Sequence, residues 1–301
     1  MPPPTWPGGP EGARIEDDLA ARASLVLAVG KKRLNKAGRQ LVTAIRDQHL
    51  AHASALRSAD PTDPRSPGPT PTPATPTPAT SATPSSRPSF DKAVQQLRTA
   101  ESKAAAVHRT TALSDNALAA LMWGSLATSA GAMAAILKAA DLAGDQPNPG
   151  ASTIGKVQSR SPMPIVTVVA AEQEVVRQLH ALIYGYQLAL GRLKGARRSA
   201  AEAELRRHRV LRDQLSTRLL DRKADVPVAK AAYVPSTNPR NAQTAAKLIR
   251  QMETGFQPFC GLWLAAATVP AERTEALDQL GHTTTVARQW GAALSTWPGW
   301  A

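Results

Sequence analysis

"IVTVVAAEQEVVRQLHALIYGYQLALGRL", Ile165–Leu193, decides the fold. Its apolar residues Val168, Val175, Val176, Leu179, Ile183, Tyr186 and Leu190 recur at the spacing of one helix face, not with the alternation of a strand. Gly195 is expected to end this helix. Downstream, Ser199 followed by Glu202 predicts a capping box that opens a second helix running to about Arg222. Leu205, His208, Leu211, Leu215 and Leu219 form its inner face. Asn238 before Pro239 predicts the start of a third helix, which continues past Pro258 with an expected kink. A fourth begins near Pro270 and ends before "WPGW".

Upstream, the same period predicts helices over about Ile15–Val29, Arg33–Ser58, Phe90–Thr110 and Ser114–Leu142. Two breakers divide the chain. Residues 60–89 are a proline and threonine tract with no core-forming residues, and residues 144–164 are rich in glycine, proline and serine. The expected organisation is a flexible end at 1–11, a helical bundle at 12–143 interrupted by the loop 60–89, a linker at 144–164 and a second bundle at 165–301. Each half reads as two helices, a long connection and two more helices. The fold class is all-α, in keeping with an alanine-rich chain that is 4% aromatic.

The net charge of +13 suggests an acidic partner, nucleic acid or an anionic membrane surface. Arg192–Lys223 contributes eleven basic and four acidic residues, but no aromatic ring on which bases could stack, so a solvated face explains it as well. Asn116–Leu137 carries no charge and has the length of a membrane span; its alanine, glycine, serine and threonine content favours a buried helix, and no transmembrane span is expected. The first residues lack the basic end and apolar run of an export signal, which points to the cytoplasm as encoded, or to the cell envelope if the true start lies upstream. The single cysteine, Cys260, lies among apolar neighbours and reads as a buried thiol.

"HALIYGY" at His180–Tyr186, "HRVLRD" at His208–Asp213, Glu253, "ARQW" at Ala287–Trp290 and "WPG" at Trp297–Gly299 carry a family likeness. Through them the C-terminal half, about 165–299, resembles a bacterial ferritin-like domain of unknown function, an alanine-rich four-helix module. "DQHLAHASAL", Asp47–Leu56, is similar in a weaker way to the helical region that precedes this domain in longer members. The resemblance implies a bundle with one long crossover.

Ferritin-like bundles that handle iron place a glutamate on each of two helices and Glu-x-x-His on the other two. None of the six histidines here has an acid three residues before it, and Leu179 stands just before His180, where the family is expected to carry glutamate. In the C-terminal half Glu172, His208 and Glu253 are the groups expected to face inward, too few for a dimetal site. In the N-terminal half His49 and His52 form His-x-x-His, and Glu101 and His108 share a helix face. These are candidate metal ligands, although histidines in a bundle also serve as hydrogen-bonding groups between helices. No phosphate-binding glycine loop, nucleophile elbow or His-Glu-x-x-His occurs, so no catalytic residue and no cofactor is assigned. The expectation is a non-catalytic helical module for protein contact or self-assembly. The alternatives are a metal-binding oxidase or store, and a basic binder of nucleic acid or anionic lipid.

Overall fold

The computed structural model describes residues 8–63, 65–66, 88–115, 117–140, 142–143 and 153–300. Among them are eight α-helices and no strand: α1 Gly9–Val29, α2 Lys36–Leu56, α3 Phe90–Ser114, α4 Ala117–Ala139, α5 Val168–Leu190, α6 Gly195–Asp221, α7 Ala242–Ala266 and α8 Pro270–Gln289. The protein is all-α, built as two halves of four helices. In each half the first helix packs on the second and third, and the third packs on the fourth. That first-to-third neighbour relation follows from a long link across the bundle; an up-down order would place the second helix beside the third.

Helix starts follow side-chain capping where it exists. Asn35, Ser89 and Thr167 accept from the backbone N–H groups of Gly38, Lys92 and Ala170, relieving orphan donors at the starts of α2, α3 and α5. Three expectations about boundaries are corrected. Gly195 opens α6 at φ +55°, and α5 has already stopped at Leu190. Ser199 lies inside α6, its hydroxyl donating to the Gly195 carbonyl, so it makes no capping box. α7 starts at Ala242, not at Asn238–Pro239, because Asn241 and Thr244 bond each other's backbone N–H groups in a reciprocal box.

α1 also begins inside the stretch expected to be a flexible end. The expected loop at 60–89 lies mostly outside the described residues, as do 144–152 of the expected linker. Residues 153–164 carry no helix, and Ile154 forms one parallel bridge with Leu294.

The halves share a core. Leu121, Met122, Trp123 and Leu126 of α4 belong to the same buried cluster as Leu179, Leu211, Phe256, Trp263, Leu264 and Leu277. A Cβ on Gly124 would meet the Leu264 side chain at 2.5 Å, so a glycine is what lets α4 approach α7 this closely. α4 is long and apolar enough to cross a membrane, and 83% of that window is buried within the protein.

Candidate functional site

The buried face of α1 is formed by Ala13, Glu16, Leu19, Ala20, Ala23 and Val26 together with Gly9 and Gly12, which places a carboxylate on an otherwise apolar stripe. α2 turns His49 and His52 toward it from successive turns, and α3 contributes Glu101 and His108. All five side chains are 0–1% exposed. An isolated ionised group at such depth is strongly disfavoured, so each must find partners.

They find one another. Glu16 Oε2 accepts from His49 Nδ1 at 2.7 Å and His52 Nδ1 at 2.9 Å, and its Oε1 accepts from His108 Nε2 at 2.9 Å. On the outer side His49 Nε2–H donates to Glu101 Oε1 at 2.8 Å, and His52 Nε2–H donates to the Thr296 backbone carbonyl at 2.8 Å. His108 stacks on Trp123 with ring centres 5.5 Å apart, and the Trp297 ring lies 4.7 Å from His52. One ligand atom each from Glu16, His49 and His52 falls within 4.8 Å of the others.

Burial acts to raise the Glu16 carboxyl, but the charges of His52 and His49 and the bonds from His108 and His49 outweigh it and hold the group well below the carboxylate range. At His49 burial acts downward, and the Glu101 and Glu16 carboxylates override it, so the imidazole is pushed up to about 10. Burial raises Glu101, offset in part by His49.

The expected inward groups of the C-terminal half are all buried, in two separate places. Glu253 Oε1 accepts from the Tyr186 hydroxyl at 2.5 Å and His208 Nε2 at 2.8 Å, and its Oε2 accepts from the Thr283 hydroxyl at 2.5 Å. Four helices thus meet on one carboxylate. Glu172 instead holds Arg218 of α6 and Arg222 just past its end, which also reach Glu275 and Glu272 of α8. These pairs, with Arg198–Glu202 and Arg212–Asp213, take up part of the basic run on α6. Glu204 pairs with His282, not with His208 four residues on, and the His180 ring donates to the Pro227 carbonyl. Of the two tyrosines in "HALIYGY", Tyr186 is buried and Tyr184 sits half-buried against Tyr233.

The two clusters share a motif. His49 lies 13 residues past Lys36, the first residue of α2, and His208 lies 13 past Gly195, the first of α6. Glu101 and Glu253 each lie 11 past the first residue of α3 and α7. Both pairs make the same Nε2 to Oε1 bond at 2.8 Å. By the same count Leu211 stands at the place of His52 and Cys260 at that of His108. His208 Nδ1, whose counterpart in His49 meets Glu16, has no partner among the described residues.

Sequence reasoning missed Glu16, the residue on which the N-terminal cluster converges. Its signal was available: Ala13, Glu16, Ala20 and Ala23 follow helical spacing, so Glu16 shares a face with small apolar residues while Asp17 and Asp18 do not.

No curated protein matches the chain. Among solved structures, a conserved hypothetical protein from Mycobacterium tuberculosis is 25% identical with a TM-score of 0.40, over 41% of this chain and 93% of that one. Residues 171–301 match the model of a domain of unknown function (DUF4439), so the part of the chain that is similar to a known family begins after Glu16, His49, His52, Glu101 and His108.

Proposed function

We propose that both halves are ferritin-like and that the N-terminal one holds a single divalent transition-metal ion between Glu16, His49 and His52. The observation that carries this reading is the orientation of the three groups. His49 Nδ1 and His52 Nδ1 both face Glu16 Oε2, with one ligand atom of each residue within 4.8 Å of the others, while the other polar atom of each is held from outside: His49 by Glu101, His52 by the Thr296 carbonyl, Glu16 by His108. Metal-ligating histidines characteristically donate their second N–H to a carboxylate or a backbone carbonyl, which fixes tautomer and ring orientation.

The charges agree with it. Without a cation in the centre, both nitrogens of His49 and of His52 face acceptors, and all four bonds form only with two imidazolium rings against two carboxylates. A divalent ion in place of two protons keeps the cluster neutral and leaves both outer bonds intact. Two imidazoles and one carboxylate suit zinc or iron(II) rather than magnesium or calcium, which prefer oxygen. Such an ion supplies Lewis-acid or redox chemistry; Glu101, Thr296 and His108 orient its ligands. Relative to an interaction module, five mutually bonded ionisable groups in a core tip the balance, because an apolar core of the same size is as stable or more so.

Elemental analysis of the full chain, expressed with iron, zinc and manganese supplements, tests the proposal. One equivalent is expected, lost in Glu16→Gln and His49→Ala. Less than about one-tenth equivalent in the unaltered protein, with no uptake of added Co2+, removes the metal reading.

A further inference from the structure

We infer that the C-terminal tail, Ala292–Trp300, is a built-in part of the N-terminal metal site, with Thr296 and Trp297 as positioning residues for His52; this rests on the metal reading above. The tail leaves the second half after α8 and lies against the first. Leu294 exchanges backbone bonds with residues 153–155: its N–H donates to the Thr153 carbonyl at 2.9 Å, and its carbonyl accepts from Gly155 N–H at 2.8 Å. Gln48, the neighbour of His49 on α2, donates to the Gly155 carbonyl at 3.3 Å. At Gly261 of α7 the tail comes so close that a Cβ there would lie 1.9 Å from the Gly299 carbonyl oxygen.

Two residues of this tail touch His52. The Thr296 carbonyl accepts its Nε2–H, and the Trp297 ring packs against the imidazole. Both are anchored. The Thr296 hydroxyl accepts from Gln158 N–H at 3.3 Å, and Trp297 Nε1–H donates to the Gln158 carbonyl at 2.9 Å. The Arg160 guanidinium lies between the Trp297 and Trp300 rings, 4.6 and 4.9 Å from their centres, and donates to the Pro61 carbonyl beyond α2.

With a metal ion beside Glu16 the ring is neutral, and one whose Nε2–H donates to a fixed carbonyl presents Nδ1 as a lone pair on the Glu16 side. The tail therefore sets the tautomer and direction of a ligand 244 residues away in sequence. His49 has the same arrangement within its own half, from the Glu101 carboxylate. Among the described residues His52 has it only through the tail, so the site is complete when the two halves are docked.

Co2+ binding to the full chain, followed by its visible ligand-field spectrum and by competition with a chelator, tests this. Trp297→Ala, which removes the ring on His52, and the near-isosteric Thr296→Val, which keeps the carbonyl but removes the hydroxyl that anchors it to Gln158, are compared with the unaltered protein, and far-UV circular dichroism reports folding. Weaker Co2+ binding, by about 10- to 100-fold, and a changed ligand-field spectrum are expected in both. In the Zn2+-loaded protein, nitrogen NMR is expected to show His52 as the Nε2–H tautomer, with that proton exchanging faster in Thr296→Val. Should Trp297→Ala fail to fold, Trp297→Phe, which loses the indole bond to the Gln158 carbonyl, decides together with Thr296→Val. Unchanged affinity and spectrum in the folded variants overturn the role of the tail and leave the metal site standing, whereas an unaltered protein that takes up no Co2+ overturns the metal site itself.

Discussion

Glu253 shows how one buried carboxylate organises a bundle. Burial acts to raise its pKa, but the charge and hydrogen bond of His208, with the bonds from Thr283 and Tyr186, hold it below its ordinary value of 4.5. A depressed folded value means that the ionised form contributes stability in full above the unfolded value, and that the contribution is lost as pH falls through the folded one. Urea unfolding of the unaltered protein is therefore expected to show stability declining on acidification below about pH 4.5. Glu253→Gln is less stable at pH 7 and shows a shallower decline; an equally steep acid limb in the variant places the responsible group elsewhere. Tyr186→Phe removes one of three donors and leaves two, so its cost is about 1–3 kcal/mol, below the about 3–5 kcal/mol of breaking a buried ion pair outright. That the Tyr186 hydroxyl needs a buried partner is readable from the sequence, since a tyrosine on the apolar face of α5 brings a donor into the core; that the partner is Glu253 is not. Glu16 was harder to read. In "IEDD", Ile15–Asp18, three acids in succession look like a solvated first turn, and only the packing of α2 and α3 on α1 shows which of them is inside.

At the level of elements, periodicity made every helix visible, because a 3.6-residue apolar repeat is a property of the sequence itself. Their ends were less legible, because several residues near each boundary are able to cap and the choice depends on where the preceding chain is held. The start of α7 separates the candidates. Asn241→Ala removes the side-chain acceptor of the reciprocal box and is expected to cost about 1 kcal/mol in thermal or urea unfolding. Asn238→Ala, at the start suggested by the Asn-Pro pair, lies outside the helix and is expected to change stability by less than about 0.5 kcal/mol. The reverse ranking moves the cap back to Asn238. The contact between Thr296 and His52 had no sequence signal, since a backbone carbonyl is present at every residue and its use depends on the path of the tail. Of the His–Glu pair shared by the halves the residues were visible, His208 and Glu253 in one half and His49 and Glu101 in the other, but not their pairing. Their common offsets emerge once the helix starts are fixed.

For the whole molecule, two halves with the same helix order carry the same His–Glu bridge but different surroundings, and on the proposed metal reading this sets how many ions the chain would hold. A transition-metal site needs at least three donors turned to one point. The N-terminal half has them because Glu16 and His52 join His49. In the C-terminal half Leu211 replaces His52, Cys260 replaces His108, and Glu253 is engaged by Tyr186 and Thr283 as well as His208. Burial, with Glu253 close by, pushes the Cys260 thiol well above its ordinary range, so it adds no charge to the second cluster. On the proposed metal reading the expected stoichiometry is therefore one ion per chain. In elemental analysis at equal protein concentration, His208→Ala and Glu253→Gln are expected to retain the full equivalent as long as they remain folded, while His49→Ala loses it. The shared core along α4, α7 and α8 makes this comparison sensitive, because a variant that loosens the second half also loosens the tail on His52. Any loss of metal in Glu253→Gln should then be recovered by lowering the temperature, as refolding of the tail restores the Thr296 bond. Two equivalents in the unaltered protein, or a loss in Glu253→Gln that persists in the cold with native circular dichroism, places an ion in the second half and overturns the assignment of separate roles to the two halves.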